Sequence, residues 1–121
     1  MKSIPLFISF FLMLKGCSTI QNQSLIKGKL VYRSCATIAV QVLDSSYSHL
    51  GQPEWEAGKG TGKTYTHVFA VANNCAFPEG MAIGQEFSFV VLKDDPSNKE
   101  CMVCEIYDYP PQVKRFIKVG E

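Results

Sequence analysis

Apolar residues in this chain recur mainly at every second position, the spacing of strands that bury one face. Residues 30–44 form a long Val- and Ile-rich segment with Ile38, Val40 and Val42 on one side, and Ser34-Cys35-Ala36 predicts a bend within it. Residues 65–72 alternate with Phe69 and Val71 together, and Phe87, Phe89 and Val91 alternate after Gly84. A fourth run covers residues 102–109 and stops at Pro110-Pro111; Val113, Ile117 and Val119 make the fifth. No long segment carries a 3.6-residue stripe, and residues 80–85 have room for one helical turn at most. Five strands, the first long and bent, predict an all-β chain folded as a small five-stranded OB-like barrel. A bend near Cys35 would let the long strand pair in both halves of the barrel. An immunoglobulin-like sandwich would need about seven strands.

The N-terminus has a different pattern. Met1-Lys2-Ser3 is a short basic start, residues 4–14 are apolar apart from Ser9 and broken by Pro5, and Gly16-Cys17 follows Lys15. The apolar run fits the core of an export signal and is too short to span a bilayer as a helix. Leu14, Gly16 and Cys17 resemble the lipobox of bacterial lipoproteins, from which Lys15 departs. The resemblance implies cleavage before Cys17 and acylation of its thiol, with two or more acyl chains giving stable anchoring. The expected division is residues 1–16 as signal peptide, 17–26 as lipidated cysteine and tether, and 27–121 as the barrel. Ser18 is compatible with sorting to an outer membrane, so the expected location is the bacterial cell envelope.

The whole mature chain is similar to small lipoproteins of Bacteroidota-type bacteria. The similarity rests on the lipobox at Cys17, Gly28-Lys29-Leu30-Val31, Asn74-Cys75-Ala76-Phe77-Pro78, residues 84–91 and Cys101-Met102-Val103-Cys104. It implies an OB-like envelope domain and names no catalytic residue. Loss of residues 1–16 would take Lys2 and Lys15 and leave ten basic against eleven acidic residues, a net charge of −1. That balance argues against nucleic acid as a partner.

Export would leave Cys35, Cys75, Cys101 and Cys104 in an oxidising compartment, where two disulfides are expected. In an extended strand Cys101 and Cys104 would stand roughly 10 Å apart on opposite faces, too far to bridge. Each is therefore expected to pair with Cys35 or Cys75, in an order the spacing leaves open. The alternatives are a thiol redox pair at Cys101 and Cys104, where Glu100 and Glu105 disfavour a thiolate, and a four-cysteine zinc site, where only one close pair exists.

Residues 44–63 read as a long connection without regular structure, a length usually functional or disordered. This connection holds the only tryptophan, Trp55, with Tyr47 and His49, and Tyr65 follows it. These four are the candidate ligand contacts, with Trp55 alternatively a lid on the core. Ala57-Gly58-Lys59-Gly60-Thr61-Gly62-Lys63-Thr64 has the loose spelling of a phosphate loop but lacks the strand before and helix after that such a loop needs. Residues 94–100 read as a solvated turn, and Lys114, Arg115 and Lys118 as a basic strand face for which anionic headgroups are the sharper alternative. No Ser/His/Asp set or carboxylate pair is legible. The expectation is a non-enzymatic envelope lipoprotein without metal or cofactor, attached to a membrane by its lipid and binding a protein or glycan. The alternative is an envelope thiol redox protein.

Overall fold

The computed structural model describes residues 24–94, 101–102 and 104–120. Cys17, the signal segment and most of the tether lie outside the described residues. Six strands are present among the described residues: β1 (Ile26–Arg33), β2 (Ile38–Val42), β3 (Gln52–Glu56), β4 (Thr64–Val71), β5 (Glu86–Leu92) and β6 (Lys114–Gly120). Two short 3-10 helices, Ser45–Leu50 and Asn74–Ala76, lie between them. Strands β1, β2, β4, β6 and β5 close into a ring, and β3 pairs with β4 outside it. The β4–β6 pair is parallel and the others are antiparallel, so the OB-like barrel of five strands is mixed, with one outer strand.

The alternation in sequence decides which side chains fill the ring. Ile26, Leu30, Ile38, Val40, Val42, Phe69, Val71, Phe87, Phe89 and Ile117 form one buried cluster. Gly28 belongs to the same face, where a Cβ would stand 2.8 Å from the Phe89 ring. A second cluster lies on the outer side of the wall. Val31, Ala39 and Val68 face outward there and are covered by Trp55 and Ala57 of the β3 region.

Three expectations about elements change. Residues 30–44 are not one bent strand; they reverse direction at residues 34–37 into an antiparallel hairpin of β1 and β2. The Ser34 N–H donates to the Thr37 carbonyl, and the Ser34 hydroxyl accepts from the N–H groups of Ala36 and Thr37. A serine-based turn thus replaces the gentle corner. The strand that serves both halves of the barrel is β1, paired with β5 over Ile26–Lys29 and with β2 over Gly28–Arg33, with a register shift at Val31.

Residues 44–63 also have more structure than expected. The Asp44 side chain caps the 3-10 helix by accepting from the Ser46 N–H, and β3 then forms a hairpin with β4. Finally, the run at 102–109 joins no ladder among the described residues; it is an extended strap. Just past β4, Asn73 is buried, and its side chain takes the place of a backbone partner. Its amide donates to the Ile117 carbonyl at 2.8 Å and its oxygen accepts from the Ile117 N–H at 3.0 Å.

Candidate functional site

The strap, described at residues 101–102 and 104–112, crosses the outside of the barrel and is tied down at several points. Cys104 is bonded to Cys35 in the β1–β2 turn, and Cys101 to Cys75 in the second 3-10 helix, with Cα separations of 5.4 and 5.5 Å. The order that spacing left open is therefore Cys35–Cys104 and Cys75–Cys101. The Cys104 N–H also donates to the Cys35 carbonyl. Further on, the Asp108 carboxylate accepts from Tyr32 Oη at 3.0 Å, Ser34 Oγ at 2.5 Å and Thr37 Oγ1 at 2.6 Å. Trp55 Nε1 donates to the Tyr109 carbonyl at 2.9 Å, and the Gln112 N–H donates to Gln52 Oε1 at 2.6 Å.

These ties have an electrostatic consequence. Partial burial pushes the Asp108 carboxyl upward, but hydrogen bonds from Ser34, Thr37 and Tyr32 together outweigh it, and the group ends below the ordinary aspartate range. Tyr32 moves upward, first through burial and then through its bond to the Asp108 anion, so the phenol keeps its proton. They also hold Tyr109 at φ 57°, a left-handed backbone conformation that costs free energy for a bulky side chain.

Beneath the strap is a groove of about 410 Å³. The small side chains of Ala36, Ala70 and Ala72 line it together with Tyr107, Asp108 and Lys114. The volume is in the range of small-ligand and side-chain pockets. Tyr107 and Pro110 also line a neighbouring cleft of about 260 Å³, which includes Trp55, Lys59 and Tyr109. Between the two openings, Ile106 and Tyr107 are 65% and 70% exposed. The Tyr107 and Tyr109 rings meet edge to face at 5.0 Å, and Lys59 Nζ lies 5.5 Å from the Tyr109 ring centroid.

The four aromatic candidates from the 44–65 region fall into two pairs. Trp55 is buried in the outer cluster, stacked on half-buried Tyr65 at 6.4 Å and edge-on to Tyr32 at 5.6 Å. Its lower edge reaches the smaller cleft. Tyr47 packs against the barrel core, and exposed His49 stacks beside it at 6.3 Å. The Gly/Lys stretch at 57–63 is the β3–β4 hairpin loop; Gly58, Gly60 and Gly62 have positive φ, and the Gly62 N–H is taken by the Glu56 carboxylate. A strand, not a helix, follows this loop, so it lacks the amide cradle of a phosphate loop. Among the described residues no group of three or more His, Cys, Asp or Glu gathers in a way that would hold a metal ion.

The apolar run at 102–109 predicts a strand through Ile106, Tyr107, Asp108 and Tyr109, and the structure makes these residues part of the strap. A signal of the strap was present in consecutive Ile106 and Tyr107, which break strict alternation, and in the two prolines that follow Tyr109. Comparison with protein-family models, with curated proteins and with solved structures finds no match for the chain.

Proposed function

We propose that this chain is a non-enzymatic, lipid-anchored binding module of the bacterial cell envelope that offers the strap and its groove to a protein or glycan. The observation that carries this reading is the strap itself. It combines exposed Ile106 and Tyr107 with a backbone held by two disulfides and the Asp108 cluster. Exposed apolar groups on a rigid support suit recognition, because little conformational freedom is lost on binding. Two disulfides in a small domain fit an extracytoplasmic compartment. The lipobox-like Leu14-Lys15-Gly16-Cys17 supports anchoring at Cys17, and the resemblance of the whole mature chain to Bacteroidota-type lipoproteins supports the envelope as location.

Trp55 and Tyr65 enter this reading mainly as support for the strap, with Trp55 also forming a wall of the smaller cleft. Half-buried Tyr47 and exposed His49 form a separate feature of the same 44–65 region. A thiol cycle between Cys101 and Cys104 would require both long-range bridges to open first, which favours the binding reading.

The test is photo-crosslinking in intact cells from position 107 and, as a control, from exposed position 83 before β5, followed by a glycan array with the native chain and the Tyr107→Ala variant. A protein adduct specific to position 107, or glycan capture lost in Tyr107→Ala at unchanged Tm, is the expected result. Equal adducts from both positions, together with no Tyr107-dependent glycan signal, would refute it.

A further inference from the structure

The opposite side of the barrel carries a different surface. Strand β5 lies between β1 and β6, and the register puts alternate residues of all three on the outer face. Lys27 stands across from Ser88, and Ser88 from Gly120; Lys29 stands across from Glu86, and Lys118 from Val90. Leu92 and Phe116 form the next pair on this face. The inward neighbours Ile26, Phe89 and Ile117 are buried in the core, so these residues point outward. Leu25 is 58% exposed and lies over Gly120, where a Cβ would stand 2.9 Å from Leu25 Cδ2. The face thus joins three lysines to a half-buried apolar strip, with Ser88 and Gly120 as a shallow centre. Glu86 is its acidic member among the described residues.

We infer that this β1–β5–β6 face rests on the anionic phospholipid headgroups of the membrane that holds the chain. The inference depends on the anchoring read at Cys17. Seven residues lie between Cys17 and Leu25, and the eight Cα-to-Cα steps of a fully extended chain reach about 28 Å. The described chain emerges on the edge of this very face, so an anchored domain is kept within reach of the bilayer on this side. The mature sequence would have a net charge of −1, so clustering of Lys27, Lys29 and Lys118 is a local property that a negative surface would select. Leu25 and Phe116 supply the apolar contact that sits at the headgroup boundary, while long lysine side chains reach past them. Since β2 and β4 lie across the ring from β5, this orientation turns the strap groove away from the membrane.

The experiment is residue-resolved lysine acetylation of the full chain purified from bacterial membranes and reconstituted into vesicles. One set of vesicles contains phosphatidylethanolamine with phosphatidylglycerol, and the other contains phosphatidylcholine alone. Lys27, Lys29 and Lys118 should label about fivefold more slowly in the anionic vesicles, the factor corresponding to roughly 1 kcal/mol per lysine near such a surface. Lys59 and Lys63, on the β3–β4 loop, serve as references and should not change. Raising salt to about 1 M, where the screening length is about 3 Å, should abolish the difference. Intact mass reads the acyl group on Cys17 in the same sample, so failure of the anchor and failure of the face are separate results. Uniform labelling of all five lysines in both vesicle types with the acyl group present overturns the docking face; absence of the acyl group overturns the anchor and the inference with it.

Discussion

Replacing Asp108 with asparagine removes a charge and one acceptor oxygen while keeping the side chain's shape. Three hydroxyls donate to this carboxylate, two of them to the same oxygen. The amide offers one oxygen and one NH2. In either orientation at least one hydroxyl must face a donor. Ser34 Oγ cannot readily become the acceptor, because it already accepts from the N–H groups of Ala36 and Thr37. Hydrogen bonds to a charged group contribute about 1 kcal/mol more each than neutral ones, roughly 3 kcal/mol for three. The site is partly exposed, and solvent screening reduces that to about 2 kcal/mol. In a domain of this size the melting temperature should fall by about 10 °C near neutral pH. The difference between the two proteins should also depend on pH. The folded Asp108 carboxyl lies below its ordinary range, so in that interval the unfolded chain binds more protons and the native form is stabilised as pH rises. This contribution is complete above the ordinary aspartate pKa and disappears as pH falls through the lower folded value. Thermal melts followed by circular dichroism across the acid range, for native and Asp108→Asn proteins, measure both effects. Parallel pH profiles, or a loss in Tm under about 3 °C, would refute the assignment of Asp108 as the ion that clamps the strap.

Other perturbations address separate parts of the fold. Asn73→Ala leaves both the N–H and the carbonyl of Ile117 without their side-chain partner in a buried site; a loss of about 3 kcal/mol in urea unfolding is expected, and one below about 1 kcal/mol would contradict the ladder role. Gly51→Ala places a Cβ 2.3 Å from the backbone carbon of His67, itself at φ 56°, so β4 must shift. That variant should lose about 3 kcal/mol or fail to fold, read by chemical denaturation, and near-native stability would show the close approach to be unimportant. Replacing Cys35 and Cys104 together by serine opens a bridge with a sequence separation of 69. The unfolded state then gains freedom equivalent to about 4 kcal/mol, and an unchanged denaturation midpoint would refute that bridge as a stabilising link.

Much of the barrel was legible along the chain because a strand advertises its buried face every second residue. Ile38, Val40 and Val42, then Phe69 and Val71, then Phe87 and Phe89 all enter the core as their spacing predicts. The same alternation says nothing about direction. The reversal after Arg33 involves no glycine, proline or asparagine, and its turn depends on Ser34 together with Asp108, a residue 74 positions away. The β3 segment, with Pro53, Glu54 and Glu56 exposed, looks like a loop by composition; it is a strand because β4 offers it an edge and the outer cluster accepts Trp55. Residues 102–109 have the composition of a strand but find no ladder partner among the described residues.

Local pattern alone determined that this chain is built from strands, which aliphatic and aromatic positions fill its interior, and that its two late cysteines should bond elsewhere than to each other. Those properties follow from backbone periodicity and from the short reach of a disulfide, both of which act over a few residues. Tertiary structure alone decided which strands adjoin, which cysteine meets which, and that Tyr107 faces solvent while Trp55 lies against the wall. These outcomes depend on closing the ring and bringing together groups up to 76 positions apart, such as Tyr32 and Asp108. A window of neighbouring residues contains no measure of that distance.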